Sequence, residues 1–95
     1  MTDLTDYEIL KACARACGML ETPWLFDYWD ALEDDGDCSQ MENKCRVVVD
    51  CDQGIAWTWH DGGYGSFTPG DDAERRRASC LVVARAQIEK EKGGA

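Results

Sequence analysis

Apolar residues recur at helical spacing near the start of the chain: Ile9, Cys13, Ala16 and Leu20. This period predicts an amphipathic helix, and Thr5 followed by Glu8 provides a capping box at its beginning. Gly18 suits the left-handed conformation that commonly ends a helix. The pattern therefore predicts a first helix from about Asp6 to Cys17.

Residues 19–33 combine a proline, Pro23, with a dense aromatic group: Trp24, Phe26, Tyr28 and Trp29. Proline disfavours helix in the residue before it. We therefore predict an irregular segment or a short turn that lays the aromatic side chains over the core.

The acidic block "DDGD" leads into "CSQMENKC", where Cys38, Met41 and Cys45 share one face of a helix. Either Asp35 or Asp37 is placed to cap this helix, and the neighbouring carboxylates suit the positive end of its dipole. The pattern predicts a short second helix.

Two β-branched or alternating segments follow, "RVVVDC" and "IAWTW", joined by the turn "DQG". They predict a β-hairpin whose second strand places Ile55, Trp57 and Trp59 on one face, lining the core. After the turn "HDGGYG", the residues from Tyr64 to Thr68 can add a third strand.

A final helical pattern runs from about Ala73 to Lys90, with a predicted buried stripe of Ala78, Leu81, Val82 and Ile88. Asp71 or Asp72 is placed to cap this helix. The terminal residues "EKGGA" are expected to fray. The elements together predict an α+β fold with the helices packed on one face of an antiparallel sheet. The expected organisation is one domain over residues 1–95, with its ordered core at about residues 5–90.

The net charge of −9 is unevenly distributed. Residues 1–45 carry eleven acidic and three basic side chains, and residues 46–95 carry eight and seven. Nucleic-acid affinity comes largely from cationic contacts to phosphate, so direct binding of DNA or RNA is not expected. An acidic surface suits a basic protein partner instead, including the nucleic-acid site of another protein.

Six cysteines are many for 95 residues. A disulfide framework needs an oxidising compartment, but the N-terminal sequence has no signal-peptide pattern. No run approaches the ~20 apolar residues of a membrane span. We therefore expect a cytoplasmic protein with reduced thiols, most of which act as small buried hydrophobic side chains.

Three kinds of chemical site are weakly supported. In a calcium-loop alignment on Gly36, Asp35, Glu33 and Glu42 fall at ligand positions, but Ala31 occupies the first and cannot ligate. The cysteines lack the close pairs of zinc sites. The single histidine, His60, belongs to no recognisable catalytic motif. We expect no catalytic residue, metal site or cofactor, and hence a non-enzymatic protein.

The basic cluster "ERRRA" has two interpretations. Arg75, Arg76 and Arg77 lie where cations oppose the helix dipole. They can pair with the chain's own acids, such as Asp71, Asp72 or the "DDGD" block, or they can contact a partner, since arginine is favoured at interfaces. Among the aromatic residues, Trp24 or Trp29 can remain partly exposed as a binding anchor.

The segment that contains Trp29, Leu32 and the block Asp34–Asp37 resembles "W-N-P-L-x-D-D-G-D-A" of small, mostly uncharacterised phage and prophage proteins. In those proteins a short helix, a hairpin and a closing helix rich in "R-R-A" follow, and here "RRAS" comes in the same order. The resemblance covers about residues 29–90. Asp30 and Ala31 depart from it by replacing the Asn-Pro pair.

The resemblance implies a phage accessory protein that acts in the host cytoplasm, with no established activity to carry over. Together with the charge distribution, it predicts an acidic face that binds a host protein with a basic surface. That partner could be a nucleic-acid-binding or defence component, inhibited by nucleic-acid mimicry. The predicted partner-binding residues are Asp27, Trp29, Asp30, Glu33, Asp34, Asp35, Asp37, Arg75 and Arg76. The alternatives are a protein that binds Ca²⁺ or Zn²⁺ and a module for a small ligand or nucleotide, and a homodimer through a hairpin edge or the last helix is open.

Overall fold

The computed structural model describes residues 4–20, 22, 24–58 and 63–93. Within these ranges the elements in chain order are α1 (Asp6–Ala16), α2 (Leu25–Tyr28), α3 (Asp35–Cys45), β1 (Val47–Asp50), β2 (Ile55–Thr58), β3 (Tyr64–Ser66) and α4 (Asp72–Gly93). The strands form an antiparallel sheet in the order β1-β2-β3, with helices packed against it. The predicted α+β class is confirmed.

Helix α1 begins with the predicted capping box. The Thr5 hydroxyl oxygen accepts the Glu8 backbone N–H at 3.2 Å, and the Glu8 carboxylate accepts the Thr5 backbone N–H at 3.0 Å. The hydrogen bond from the Thr5 backbone N–H lowers the pKa of Glu8, because it favours the charged carboxylate. At the other end, Gly18 takes a left-handed φ of 74°. The local pattern was sufficient to define this helix.

The segment after α1 contains one turn of helix, α2, where an irregular stretch or short turn is predicted; Pro23 lies outside the described residues. Helix α3 differs in its cap. Its N-cap is Asp34, whose Oδ1 accepts the Asp37 backbone N–H at 2.8 Å, so the prediction of Asp35 or Asp37 is wrong. Both predicted caps bind other groups: Asp37 Oδ2 accepts the Asp30 backbone N–H at 2.9 Å, and Asp35 Oδ1 accepts Arg76 at 2.7 Å.

The sheet presents the opposite face of β2 to the core from the one predicted. Ala56 and Thr58 are buried, whereas Ile55 and Trp57 are half-buried on the outer face; Trp59 lies outside the described residues. Ala56 pairs with Gly65 of β3, and a Cβ on Gly65 would lie 3.1 Å from the Ala78 carbonyl oxygen. These small residues let the α4 backbone approach closely, which explains why the bulky side chains of β2 face outward.

Helix α4 packs on the sheet on one side and on α1 and α3 on the other. Because it is covered on both sides, its buried set is wider than the predicted stripe: Ala78, Ser79, Cys80, Val82, Val83 and Ala84. Leu81 and Ile88 are half-buried against the same core. The helix begins after Asp71, which accepts the Glu74 backbone N–H at 3.0 Å, and it continues to Gly93, past the predicted end.

The core has two parts. The larger part lies between α1, α3 and α4 and includes Trp29 and Leu32, and the smaller lies between the sheet and α4. All six cysteines are free thiols. As predicted, most are buried: Cys13, Cys17, Cys38 and Cys80. In the part of the chain that the structure describes, no helix is both long and apolar enough to cross a membrane.

Candidate binding surface

Three of the six carboxylates of the predicted acidic face hold the backbone of their own turn. Asp30 Oδ1 accepts the backbone N–H groups of Leu32 and Glu33 at 3.0 and 3.3 Å. Asp34 caps α3, and Asp37 binds the Asp30 backbone N–H. Asx turns and N-caps of this kind satisfy backbone donors that would otherwise lack a partner. The "DDGD" block is therefore first of all a helix start.

Asp35 has a different role, because two arginines of α4 converge on its Oδ1. Arg76 donates at 2.7 Å and Arg75 at 2.9 Å, and Arg76 Nε also donates to the Leu32 carbonyl oxygen at 2.9 Å. The hydrogen bond from Arg76 lowers the pKa of Asp35 and raises that of Arg76. The acidic turn is thus fastened to the beginning of α4.

The other contacts of the arginine cluster also lie within the chain. Arg75 donates to Glu42 of α3 at 3.2 Å, and Arg77 to Asp6 of α1 at 2.6 Å. The Arg75 and Arg76 side chains are only 17% and 13% exposed. Of the two interpretations of "ERRRA", the geometry matches pairing with the chain's own acids. Glu42, which the sequence analysis placed only in a calcium loop, is a central acceptor.

Trp29 is buried, with 6% of its surface exposed, so it is not available as a surface anchor. Its Nε1 is buried without a hydrogen-bond partner among the described residues. Trp24 is the exposed one of the two candidates, at 59%. Spacing alone could not distinguish them, since both flank α2.

Helix α2 presents aromatic side chains to solvent. Leu25 and Phe26 are half-buried and pack against the core, which leaves Trp24, Asp27 and Tyr28 facing outward, Tyr28 with 82% exposure. The Tyr7 ring, 60% exposed, meets the Phe26 ring edge-to-face with centroids 5.6 Å apart. We define the α2 surface as Tyr7, Trp24, Asp27 and Tyr28. Such a cluster of exposed aromatic side chains is unusual outside binding sites.

Of the predicted acidic residues, two have exposed carboxylates that make no hydrogen bond or ion pair with the part of the chain described: Asp27 and Glu33. Asp27 lies within the α2 surface, and Glu33 lies in the turn before α3. The structure therefore divides the predicted site residues into three groups. Asp30, Asp34, Asp35, Asp37, Arg75 and Arg76 are engaged internally, Trp29 is buried, and Asp27 and Glu33 are free to meet a partner.

The residues that the structure describes contain no group of three or more His, Cys, Asp or Glu side chains that could hold a metal ion; His60 lies outside them. Thiols do meet in the core, where Cys38 is hydrogen-bonded to Cys80 and Cys13 Sγ donates to the Cys80 carbonyl oxygen at 3.3 Å. The hydrogen bond and burial raise the pKa of Cys38 and so favour its protonated form.

The outer face of the sheet carries a shallow cavity of about 730 Å³. Trp57 lies opposite Tyr64 in the β2–β3 register, and both line it together with Ile55, Asp50 and Gln53. Asp50 is engaged in its own turn, because its carboxylate accepts the backbone N–H groups of Asp52 and Gln53. The lining is therefore aromatic with one carboxylate.

In comparisons with known proteins, no protein family, curated protein or solved structure matches the chain. The function is therefore argued from the geometry of the molecule.

Proposed function

We propose that the protein is a non-enzymatic accessory protein of a phage or prophage, which binds a basic surface on a host protein in the host cytoplasm. The observation that carries this proposal is the α2 surface, where the Trp24 and Tyr28 side chains and the Asp27 carboxylate are all exposed within five consecutive residues. The phage origin rests on the resemblance of the "DDGD" segment.

Tryptophan and tyrosine are enriched among the residues that dominate binding energy at protein interfaces. On the α2 surface they are combined with one acidic residue, Asp27, in the half of the chain where acids outnumber bases by eleven to three. The summed negative field attracts a basic partner and speeds its encounter. A nucleic-acid-binding or defence component has such a basic surface, and its inhibition by mimicry of nucleic acid follows from the same charges.

The structure changes which residues should be tested. Reversing the charge of Asp34, Asp35 or Asp37 would remove a cap, an ion pair or a turn contact, so a loss of binding could reflect damage to the fold. Asp27 and Glu33 reduce this difficulty because their carboxylates are exposed and accept no hydrogen bond within the described residues. Asp27→Lys and Glu33→Lys are therefore the informative charge reversals.

The experiment is capture of host proteins on the tagged chain at low and high salt, followed by measurement of affinity for any stoichiometric partner. Trp24→Ala, Tyr28→Ala and Asp27→Lys should each weaken binding, by about tenfold or more for an aromatic anchor. Added salt should weaken it further.

Matched controls lie elsewhere on the surface. Tyr64→Ala removes an aromatic side chain that is 68% exposed on β3, and Asp52→Lys reverses an exposed charge in the β1–β2 turn. Both should leave binding unchanged. Equal losses in the control and the α2 variants would contradict the proposal, as would a partner whose binding is independent of Trp24 and Tyr28.

A second candidate, a small-ligand module, is favoured by the cavity on the outer face of the sheet. Trp57 and Tyr64 offer stacking surfaces there, and the nearby Asp50 carboxylate disfavours phosphate groups. A neutral or cationic aromatic ligand fits this lining better than a nucleotide. A change in tryptophan fluorescence on ligand addition that is lost in Trp57→Phe would support this function over protein binding.

A further inference from the structure

The end of α1 lies beside the end of α3, and each contributes a cysteine. Lys44 Nζ donates to the carbonyl oxygen of Cys17 at 3.2 Å, which ties the two ends together. The Cys17 and Cys45 thiols lie close enough for each to shift the pKa of the other, that of Cys17 upward and that of Cys45 downward. Cys17 is 7% exposed, whereas Cys45 is half-buried and reachable from solvent. The two thiols are 28 residues apart in sequence and adjacent in the fold.

Cys45 forms part of the wall of a cavity of about 540 Å³. The cavity is formed where α1, α3, β2 and α4 meet, and Lys44, Lys90, Gln87 and Thr58 contribute its polar lining. Two ammonium groups and an amide donor at one cavity are notable in a chain of net charge −9. The lining is suited to a small organic anion, held with its reactive atom near the Cys45 sulfur.

We propose that Cys45 and Cys17 are a reactive dithiol, which exchanges with an anionic low-molecular-weight disulfide bound in this cavity and closes into an intramolecular disulfide. The reaction would respond to the redox state of small thiols around the protein. It would also link α1 covalently to α3, the helix that begins at the acidic turn.

The chemistry proceeds in two balanced steps. The Cys45 thiolate attacks one sulfur of the small disulfide, the sulfur–sulfur bond breaks, and one small thiolate leaves and takes a proton from water. Cys17 then loses its proton to water and attacks Cys45 Sγ in the mixed disulfide, which expels the second small thiolate. The dithiol is oxidised by two electrons, and the small disulfide is reduced to two thiols.

The order of attack follows from the environment of each sulfur. The hydrogen bond from Cys17 and the nearby Lys44 ammonium lower the pKa of the Cys45 thiol. The same hydrogen bond, together with burial, raises the pKa of Cys17. Since the thiolate is the nucleophile, Cys45 attacks first and Cys17 resolves the mixed disulfide.

The other thiols provide internal controls. Cys13, Cys38 and Cys80 are fully buried and out of reach of a reagent in the folded protein. Cys51 is exposed in the β1–β2 turn, away from the cavity lining. A Cys51→Ser variant therefore leaves Cys45 as the accessible thiol.

The test uses folded Cys51→Ser protein and the dianionic disulfide 5,5′-dithiobis(2-nitrobenzoate). We expect two equivalents of thionitrobenzoate per chain, a protein mass lower by two hydrogens, and a Cys17–Cys45 bond in the peptide map. Lys44→Gln with Lys90→Gln should slow this reaction by about tenfold relative to the reaction with neutral dithiodipyridine. Taking the ratio of the two rates cancels any change in thiolate population.

A Cys17→Ala variant should release one equivalent and retain the mixed disulfide on Cys45. Three results would overturn the proposal: a stable mixed disulfide in the Cys51→Ser protein, labelling of Cys45 no faster than that of Cys51 in the unsubstituted chain, or a rate ratio unchanged by the lysine substitutions. If Cys17→Ala does not fold, the peptide map of Cys51→Ser protein still decides whether the bond forms.

Discussion

The hydroxyl of Ser79, fully buried in α4, donates a 2.6 Å hydrogen bond to Oε2 of Glu42 on α3. The same oxygen accepts Arg75 at 3.2 Å, so one carboxylate satisfies two groups at the α3–α4 interface. A buried hydroxyl without a partner loses the compensation for its desolvation. This small polar network is therefore a point at which the fold is sensitive to a single change.

Glu42→Ala is expected to lower the free energy of unfolding by about 1–3 kcal/mol, because it leaves the buried Ser79 hydroxyl without its acceptor and removes one of the carboxylates that Arg75 binds, Asp35 being another. Urea denaturation measures this. Glu42→Gln retains an acceptor and should cost less. A cycle with Ser79→Ala isolates the coupling, and a coupling near zero would contradict the role given to Glu42.

Asp34→Ala should destabilise the protein by about 1 kcal/mol through loss of the α3 N-cap. Glu33→Ala is the matched control, since its neighbouring side chain is exposed and makes no capping bond. It should change the free energy of unfolding by less than about 0.5 kcal/mol. Equal effects of the two substitutions in thermal or chemical denaturation would show that Asp34 is not the cap.

Gly54→Ala should be far more costly than Gly18→Ala, although both glycines have a left-handed backbone, with φ of 70° and 74°. A Cβ on Gly54 would overlap the Phe67 carbonyl oxygen, whereas one on Gly18 meets nothing within 4 Å. The Gly18 substitution carries only the conformational cost of about 1 kcal/mol. The Gly54 substitution adds displacement of β3, for a total above about 2 kcal/mol. Similar unfolding midpoints for the two variants would refute this close approach.

Glu91 on α4 accepts Arg15 of α1 at 2.6 Å, and this bond lowers the pKa of the carboxyl. Its contribution to stability is therefore present above the unfolded-state pKa of about 4.3 and is lost as the pH falls through the lowered folded-state value. Glu91→Gln should destabilise the protein at pH 7, by an amount that shrinks below about pH 4 and in high salt. Glu89→Gln, an exposed change on the same helix, should show neither dependence.

Much of the fold could be predicted because its signals are local. The capping box at Thr5 and Glu8, the left-handed Gly18 and the β-branched run of β1 each act within a few residues. Which residues of β2 share a face was also predictable, since side chains alternate along a strand. Which face of β2 met α4 was not, because it depends on Ala56 and Gly65 together with a helix that begins several residues later.

The candidate site was less predictable for the same reason. Sequence alone identified an acidic turn and an arginine cluster, but the pairing of Asp35 with Arg76 joins residues 41 positions apart. Burial also reversed expectations: Trp29 packed inward and Trp24 outward, because Leu25 and Phe26 determine which side of α2 faces the core. An exposed aromatic residue cannot be distinguished from a buried one by composition.

By itself, the sequence determined the α+β class, most helix and strand positions and the charge split between the halves of the chain, since these follow from short-range spacing and from counting. Only the tertiary structure decided which carboxylates are consumed by caps and ion pairs, which aromatic side chains reach solvent, and that Cys17 meets Cys45. These features arise from contacts between distant segments, and such contacts exist only once α4 has packed between the sheet and the other helices.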